Sequence, residues 1–197
     1  MNPQIELIET VDDSFGFTLS GINVSLANAV RRTILSDIPL VVFRTTPNEQ
    51  NKCTILANTS RLNNEIIKQR LSCIPIHIRD TSDFPLKNFI MEVNVENNTD
   101  TVMYVTTEDF TIIDLVSGKM LPKDKVREIF PADDHTGYYI DFVRLRPRIS
   151  DEIPGERIHL RCEFDIGSAK EDGMFNAVST RSEEHTSELQ SLAYLVC

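Results

Sequence analysis

Near its C-terminal end the chain alternates without a slip. Ile158, Leu160, Cys162, Phe164 and Ile166 take turns with Arg157, His159, Arg161, Glu163 and Asp165. Strict period two puts every second side chain on one face of a strand, so this run predicts one buried face and one wet face. KNFIMEVNVEN repeats the pattern: Phe89, Met91, Val93 and Val95 face one way, and Glu92, Asn94 and Glu96 the other. VMYVTT, FTIIDL and GYYIDFVRL read as further strands. The second half of the chain is therefore expected to be β structure.

The first half is mixed. Ile5–Glu9 and Phe15–Gly21 read as two strands joined by the acidic turn VDDS. VSLANAVRRTILSDIP has helical spacing: Leu26, Val30, Ile34 and Ile38 fall on one stripe, with Ser25 as the expected N-cap. Pro39 stops that helix, because the residue before a proline is pushed out of the α region. Leu40–Arg44 reads as a buried strand. A second, shorter helix is expected over 64–72, stopped by Pro75, with Ile67, Leu71 and Ile74 on one face. The predicted fold class is α+β.

Several chemistries lack their signatures. There is no GxxxxGK[ST] loop, GxGxxG, GxSxG or HExxH. The four cysteines form no CxxC pair, so no zinc site, other metal or cofactor is expected. They are expected to be reduced thiols, mostly buried, with Cys73 a small core residue. His135 beside Asp133 and Asp134 lies in ADDHTG, whose composition is that of a solvated turn. The N-x-S/T triplets at Asn23, Asn58 and Asn97 carry no weight as sugar acceptors without a secretory signal. The N-terminus shows no such signal, and no apolar run approaches the roughly 18–20 residues of a membrane span. A net charge of −10 argues against broad contact with nucleic acid phosphates.

Arg31 and Arg32 interrupt the apolar first helix. Arg32 shares its side with Asn28 and Ser36, and Arg31 lies at the border of the stripe. Such a helix is either ordinarily amphipathic or buried on both sides, with the guanidinium groups bonded to a partner.

GINVSLANAVRRTILSDIPLVVF resembles the first helix of the α-like assembly subunits of multisubunit DNA-directed RNA polymerases: the bacterial alpha subunit, the archaeal D subunit and the third-largest eukaryotic subunits. Gly21, Ser25, Leu26, Ala27, Asn28, Ala29, Arg31, Arg32 and Pro39 carry the likeness. A second block, NTSRLNNEIIKQRLSCIPI, agrees through Asn58, Ser60, Leu62, Glu65, Arg70, Leu71, Ile74 and Pro75. GERIHLRCEFDIGSAKEDGMFNAVST matches more weakly, and its ending is similar to versions carried by large DNA viruses. The cysteine-rich zinc loop of many eukaryotic members is missing.

The resemblance implies a dimerisation subdomain of strands plus a helix, interrupted by an inserted, mostly β subdomain. The first part is expected at 1–46, the insert at 47–176, and the start of the returning segment at 177–180. It implies a non-catalytic assembly subunit that pairs with a second α-like subunit, separate or fused in the same gene, and docks the second-largest and largest subunits. Leu26, Val30, Ile34 and Ile38 would form the pairing or core face. Arg31, Arg32 and Asn28 would dock the large subunit, and Glu65, Arg70, Leu71 and Pro75 form the second motif. Direct DNA contact and membrane association are not expected. The expected location is intracellular, in nucleus, cytoplasm or a viral replication compartment.

Residues 181–197 stand apart. Arg181 to Ser191 read as the translation of a common short-read sequencing adapter, so this tail is expected to be an unstructured artefact that replaces native sequence after Thr180. Two rival readings stay open: a β-rich protein-binding module unrelated to polymerases, and an enzyme built on Asp133–His135.

Overall fold

The computed structural model describes residues 2–11, 14–78, 85–150, 153–176 and 192–196; for residues 7–11, 14–15 and 192–196 it describes the backbone alone. The chain divides into two compact units, one of residues 1–40 with 167–197, the other of residues 41–166. The dividing points come earlier than the 46/47 and 176/177 expected from the sequence.

In the first unit, β1 (Gln4–Val11) and β2 (Ser14–Ser20) form an antiparallel hairpin with a register shift between Leu7 and Glu9. The acidic residues Asp12 and Asp13 of the expected turn lie outside the described residues. Gly21 follows at φ 73°, and a Cβ there would sit 2.1 Å from the Asn2 carbonyl oxygen. Only glycine fits that combination of positive φ and close backbone. The helix α1 (Val24–Ser36) starts one turn later.

Asn23, not Ser25, is the N-cap. Its extended backbone lets Oδ1 accept from the Leu26 N–H at 2.8 Å, leaving Ser25 inside the first turn. The helix closes on Asp37, whose N–H donates to the Thr33 carbonyl. Lys170 seals the same end: its N–H donates to the Ser36 carbonyl at 2.9 Å and its ammonium lies 3.5 Å from Asp37. A cation over the last carbonyls of a helix is favourable to its dipole. Farther on, a short 3₁₀ turn at Gly173–Phe175 buries Phe175.

The tail does not wholly match the expectation of an unstructured segment. Leu192–Val196 run antiparallel to β2, with Leu192 opposite Thr18 and Val196 opposite Ser14. LAYLV is apolar, and β1 occupies only one edge of β2, so the other edge offers its backbone groups. Residues 177–191 and Cys197 lie outside the described residues.

The second unit holds the larger core. β3 (Leu40–Val42) pairs with a short C-terminal strand, Asp165–Gly167. β4 (Cys53–Asn58), which the sequence reading passed over, follows. Then come α2 (Asn64–Ser72), β5 (Phe89–Glu96), β6 (Met103–Thr106), β7 (Thr111–Asp114), α3 (Lys123–Ile129), β8 (Asp141–Leu145) and β9 (Arg157–Glu163). β4, β9, β5 and β7 form one antiparallel sheet in that order, and β6 pairs with β8.

The alternation read from the sequence sets the inner face. Met91 and Val93 on β5 and Ile158, Leu160 and Cys162 on β9 are fully buried. Ile166 breaks the pattern at 47% exposure, because β9 ends at Glu163 and Ile166 belongs to the separate strand paired with β3. α2 lays Ile67 and Leu71 on this core, and α3 adds Val126 and Ile129. Aromatic rings link the layers. Phe43 stacks on Phe130 at 6.1 Å, Phe130 meets Phe110 edge-on at 5.3 Å, and Phe110 meets Phe142 edge-on at 5.5 Å. Each such pair contributes roughly 0.5–1.5 kcal/mol beyond its buried area.

α3 was missed because KDKVREI is short and charged, with only Val126 and Ile129 to mark a face. Among the described residues no helix is long and apolar enough to cross a membrane.

Candidate functional site

α1 is an apolar helix with no buried residue. Leu26 is 47% exposed and Val30 39%, while Ile34 is half-buried. Ile38, expected on the same helical face, lies beyond the helix end, where it is 37% exposed. The stripe therefore reduces to Leu26, Val30 and Ile34, with Val24 exposed at its start. A surface helix of a folded unit normally turns its apolar stripe inward. This one presents most of it outward.

The polar side is organised by Asn28. Its Oδ1 accepts from Arg31 Nη2 at 2.8 Å and from Arg31 Nε at 3.2 Å. Residues three apart are neighbours on a helix, so the amide and the guanidinium meet within one turn. Arg31 is half-buried and Arg32 exposed. The sequence reading set Asn28 beside Arg32; the structure bonds it to Arg31. Ser36 Oγ donates to the Arg32 carbonyl at 2.7 Å, so Ser36 serves the helix backbone.

The second block is a different kind of feature. Asn58 Oδ1 accepts from the Ser60 N–H at 3.0 Å and from Ser60 Oγ at 2.7 Å, while its Nδ2 donates to the Leu62 carbonyl at 2.8 Å. Asn63 caps α2 by accepting from the Ile66 N–H at 2.9 Å. Glu65 is exposed in the first turn, where a carboxylate suits the helix dipole. Arg70 donates from Nε to the Phe142 carbonyl and from Nη2 to the Asp141 carbonyl, both at 2.8 Å. Leu71 is fully buried and Pro75 exposed beyond the helix end. This motif builds the second unit; it gathers no reactive groups. Cys73, expected in the core, is exposed, because it caps α2 on the side away from Ile67 and Leu71.

The outer face of the four-stranded sheet carries a charged cluster that the sequence reading assigned to water. Glu92 Oε1 accepts from His159 Nε2 and from Arg161 Nε, both at 2.8 Å. Arg161 is directly opposite Glu92 in the register, and His159 lies two rungs away, at the next position on the same face. Such cross-strand partners are within reach of long side chains. Burial opposes ionisation of Glu92, but the hydrogen bonds from His159 and Arg161 outweigh it and hold the carboxyl below its ordinary value.

The Asp133–His135 stretch is a turn. Asp133 Oδ1 accepts from the N–H groups of His135 and Thr136 and from Thr136 Oγ1, and these hydrogen bonds, against a small desolvation effect, lower its pKa. All four residues from Asp133 to Thr136 are exposed. Among the described residues no group of three or more His, Cys, Asp or Glu side chains could hold a metal ion.

Comparison with known proteins places the chain among RNA polymerase subunits. The family described as the RNA polymerase Rpb3/Rpb11 dimerisation domain matches residues 16–141. Subunit Rpo3 of the DNA-directed RNA polymerase of Pyrococcus horikoshii is 26% identical over 174 residues, covering 77% of this chain and 64% of the relative. Subunit rpac1 of RNA polymerases I and III of Dictyostelium discoideum is 27% identical over 199 residues, covering 92% of this chain and 52% of the relative. Subunit 3B of RNA polymerases IV and V of Arabidopsis thaliana is 38% identical over 74 residues, which is 38% of this chain and 21% of the relative. The chain thus spans between about half and two thirds of the length of these Rpo3 and rpac1 relatives.

Proposed function

The chain belongs to the RNA polymerase Rpb3/Rpb11 dimerisation-domain family, and from that premise we propose that it is a non-catalytic, α-like assembly subunit of a DNA-directed RNA polymerase. One observation carries this reading: α1 has no buried residue, although Leu26, Val30 and Ile34 form an apolar stripe. A second α-like helix laid against that stripe would remove it from water, at roughly 1.5–3 kcal/mol for each fully covered aliphatic side chain.

In this reading Arg31 and Arg32 dock the second-largest subunit. Asn28 pre-sets the Arg31 guanidinium, so less side-chain freedom is lost when it meets carboxylates or carbonyls. The completed pair then receives the largest subunit. The partner chain is separate or fused in the same gene. The acidic net charge fits a position away from DNA phosphates.

Co-expression tests the proposal. The chain, affinity-tagged, is expressed with the α-like partner and the two large subunits of its source polymerase and then captured. Recovery of a stoichiometric pair, and of the large subunits with it, is the expected result. A chain recovered alone as a stable monomer in the presence of all three would refute it.

A further inference from the structure

Cys53 on β4 and Cys162 on β9 are direct register partners, 2% and 0% exposed. The neighbouring rung is Lys52 with Glu163, where the Glu163 N–H donates to the Lys52 carbonyl at 3.2 Å. Hydrogen-bonded and non-hydrogen-bonded rungs alternate along an antiparallel ladder, so the cysteines occupy a non-hydrogen-bonded rung. Asn51 corroborates this. Its Oδ1 accepts from the Cys53 N–H and its Nδ2 donates to the Cys53 carbonyl, both at 3.0 Å, so both backbone groups of Cys53 turn away from β9. At such a rung the Cα atoms stand about 4.5 Å apart and the side chains lean together. A disulfide spans Cα separations of roughly 4.4–6.8 Å, so the backbone already holds the distance that the bond needs.

We propose that Cys53 and Cys162 form an intramolecular disulfide site whose reaction partner is a low-molecular-weight disulfide. Cys53 is the attacking group. β4 is the edge strand of its sheet, so it can separate from β9 while β9 stays paired with β5. The hydrogen bond with Cys162 lowers the Cys53 pKa, and Lys68 adds to this against the effect of burial; the same bond, with burial, raises that of Cys162.

The Cys53 thiolate attacks one sulfur of the small disulfide, forming a mixed disulfide and expelling one small thiolate. Cys162 then gives up its proton and attacks the Cys53 sulfur, closing the protein bond and expelling the second thiolate. Both thiolates leave as thiols. The protein pair is oxidised by two electrons, and the small disulfide is reduced by the same two. The product ties the edge strand to the middle of the sheet and closes a long loop of chain.

The test uses the full chain carrying C73S and C197S, which leaves only this pair. One sample is oxidised in the native state with oxidised glutathione. Another is refolded from denaturant in glutathione buffers of stepped ratio, so burial cannot block access. The expected result is a linked Cys53–Cys162 peptide after proteolysis of the refolded sample. Its melting temperature should rise by roughly 5–15 °C, and the rise should vanish on reduction and in C53S. If both thiols remain alkylatable after refolding at the most oxidising ratio, or each carries glutathione singly, the proposal fails.

Discussion

Arg70 Nε donates to the Phe142 carbonyl at 2.8 Å, joining α2 to a strand 72 residues away. Nη2 reaches the adjacent Asp141 carbonyl at the same distance. One planar fork thus holds two consecutive carbonyls at the start of β8. Arg70→Ala should destabilise the second unit by about 1.5–3 kcal/mol, the range for hydrogen bonds from a charged donor. Arg70→Lys should recover less than half, because an ammonium cannot reproduce the fork. Urea unfolding of the three proteins checks both; equal midpoints would show that the fork contributes nothing.

Glu92 gives a pH dependence of known sign. Its folded-state pKa is below the ordinary 4.5, because the bonds from His159 and Arg161 outweigh burial. A lowered carboxylate pKa adds stability that is present above the unfolded value and is lost as pH falls through the folded one. Glu92→Gln should therefore cost about 1–3 kcal/mol at neutral pH. That difference should shrink steadily once the pH drops below about 4.5. Parallel denaturant titrations from pH 7 to pH 3 would show the two curves converging; curves that stay parallel would contradict the ion network.

Asn97 is buried with four side-chain hydrogen bonds. Nδ2 donates to the Thr101 and Leu145 carbonyls at 2.9 and 3.0 Å, and Oδ1 accepts from the N–H and Oγ1 of Thr99 at 3.0 and 2.7 Å. Asn97→Ala leaves those groups unsatisfied and should cost about 2–4 kcal/mol. Asn58→Ala, at a less buried copy of the same turn, should cost about half as much. Gly155→Ala should be as damaging as Asn97→Ala, since its Cβ would fall 1.7 Å from the Asn97 carbonyl oxygen. Thermal melts of the three variants rank them.

The two sides of α1 should separate by function. Leu26→Asp with Val30→Asp should abolish capture of the α-like partner while leaving the melting temperature nearly unchanged, because neither side chain is buried in the isolated chain. Arg31→Ala with Arg32→Ala should keep that partner and lose most of the second-largest subunit. Pull-down with quantified bands distinguishes these outcomes. Loss of both partners in the arginine variant would place the guanidiniums in the pairing face instead.

What the sequence decided by itself was periodic. Residues near in sequence share a face by strand or helix geometry, so Met91, Val93, Leu160 and Leu71 were legible as core from spacing alone. The Arg-Arg pair and the second block were read as family features, and the span that the family model matches, residues 16–141, contains both. What only the tertiary structure decided depends on partners distant along the chain. Spacing cannot show that Cys53 faces Cys162, that Arg70 reaches Phe142, or that Glu92 gathers His159 and Arg161. Nor can it show that α1 keeps its apolar stripe outside, because burial is set by what packs against a face and not by the face itself.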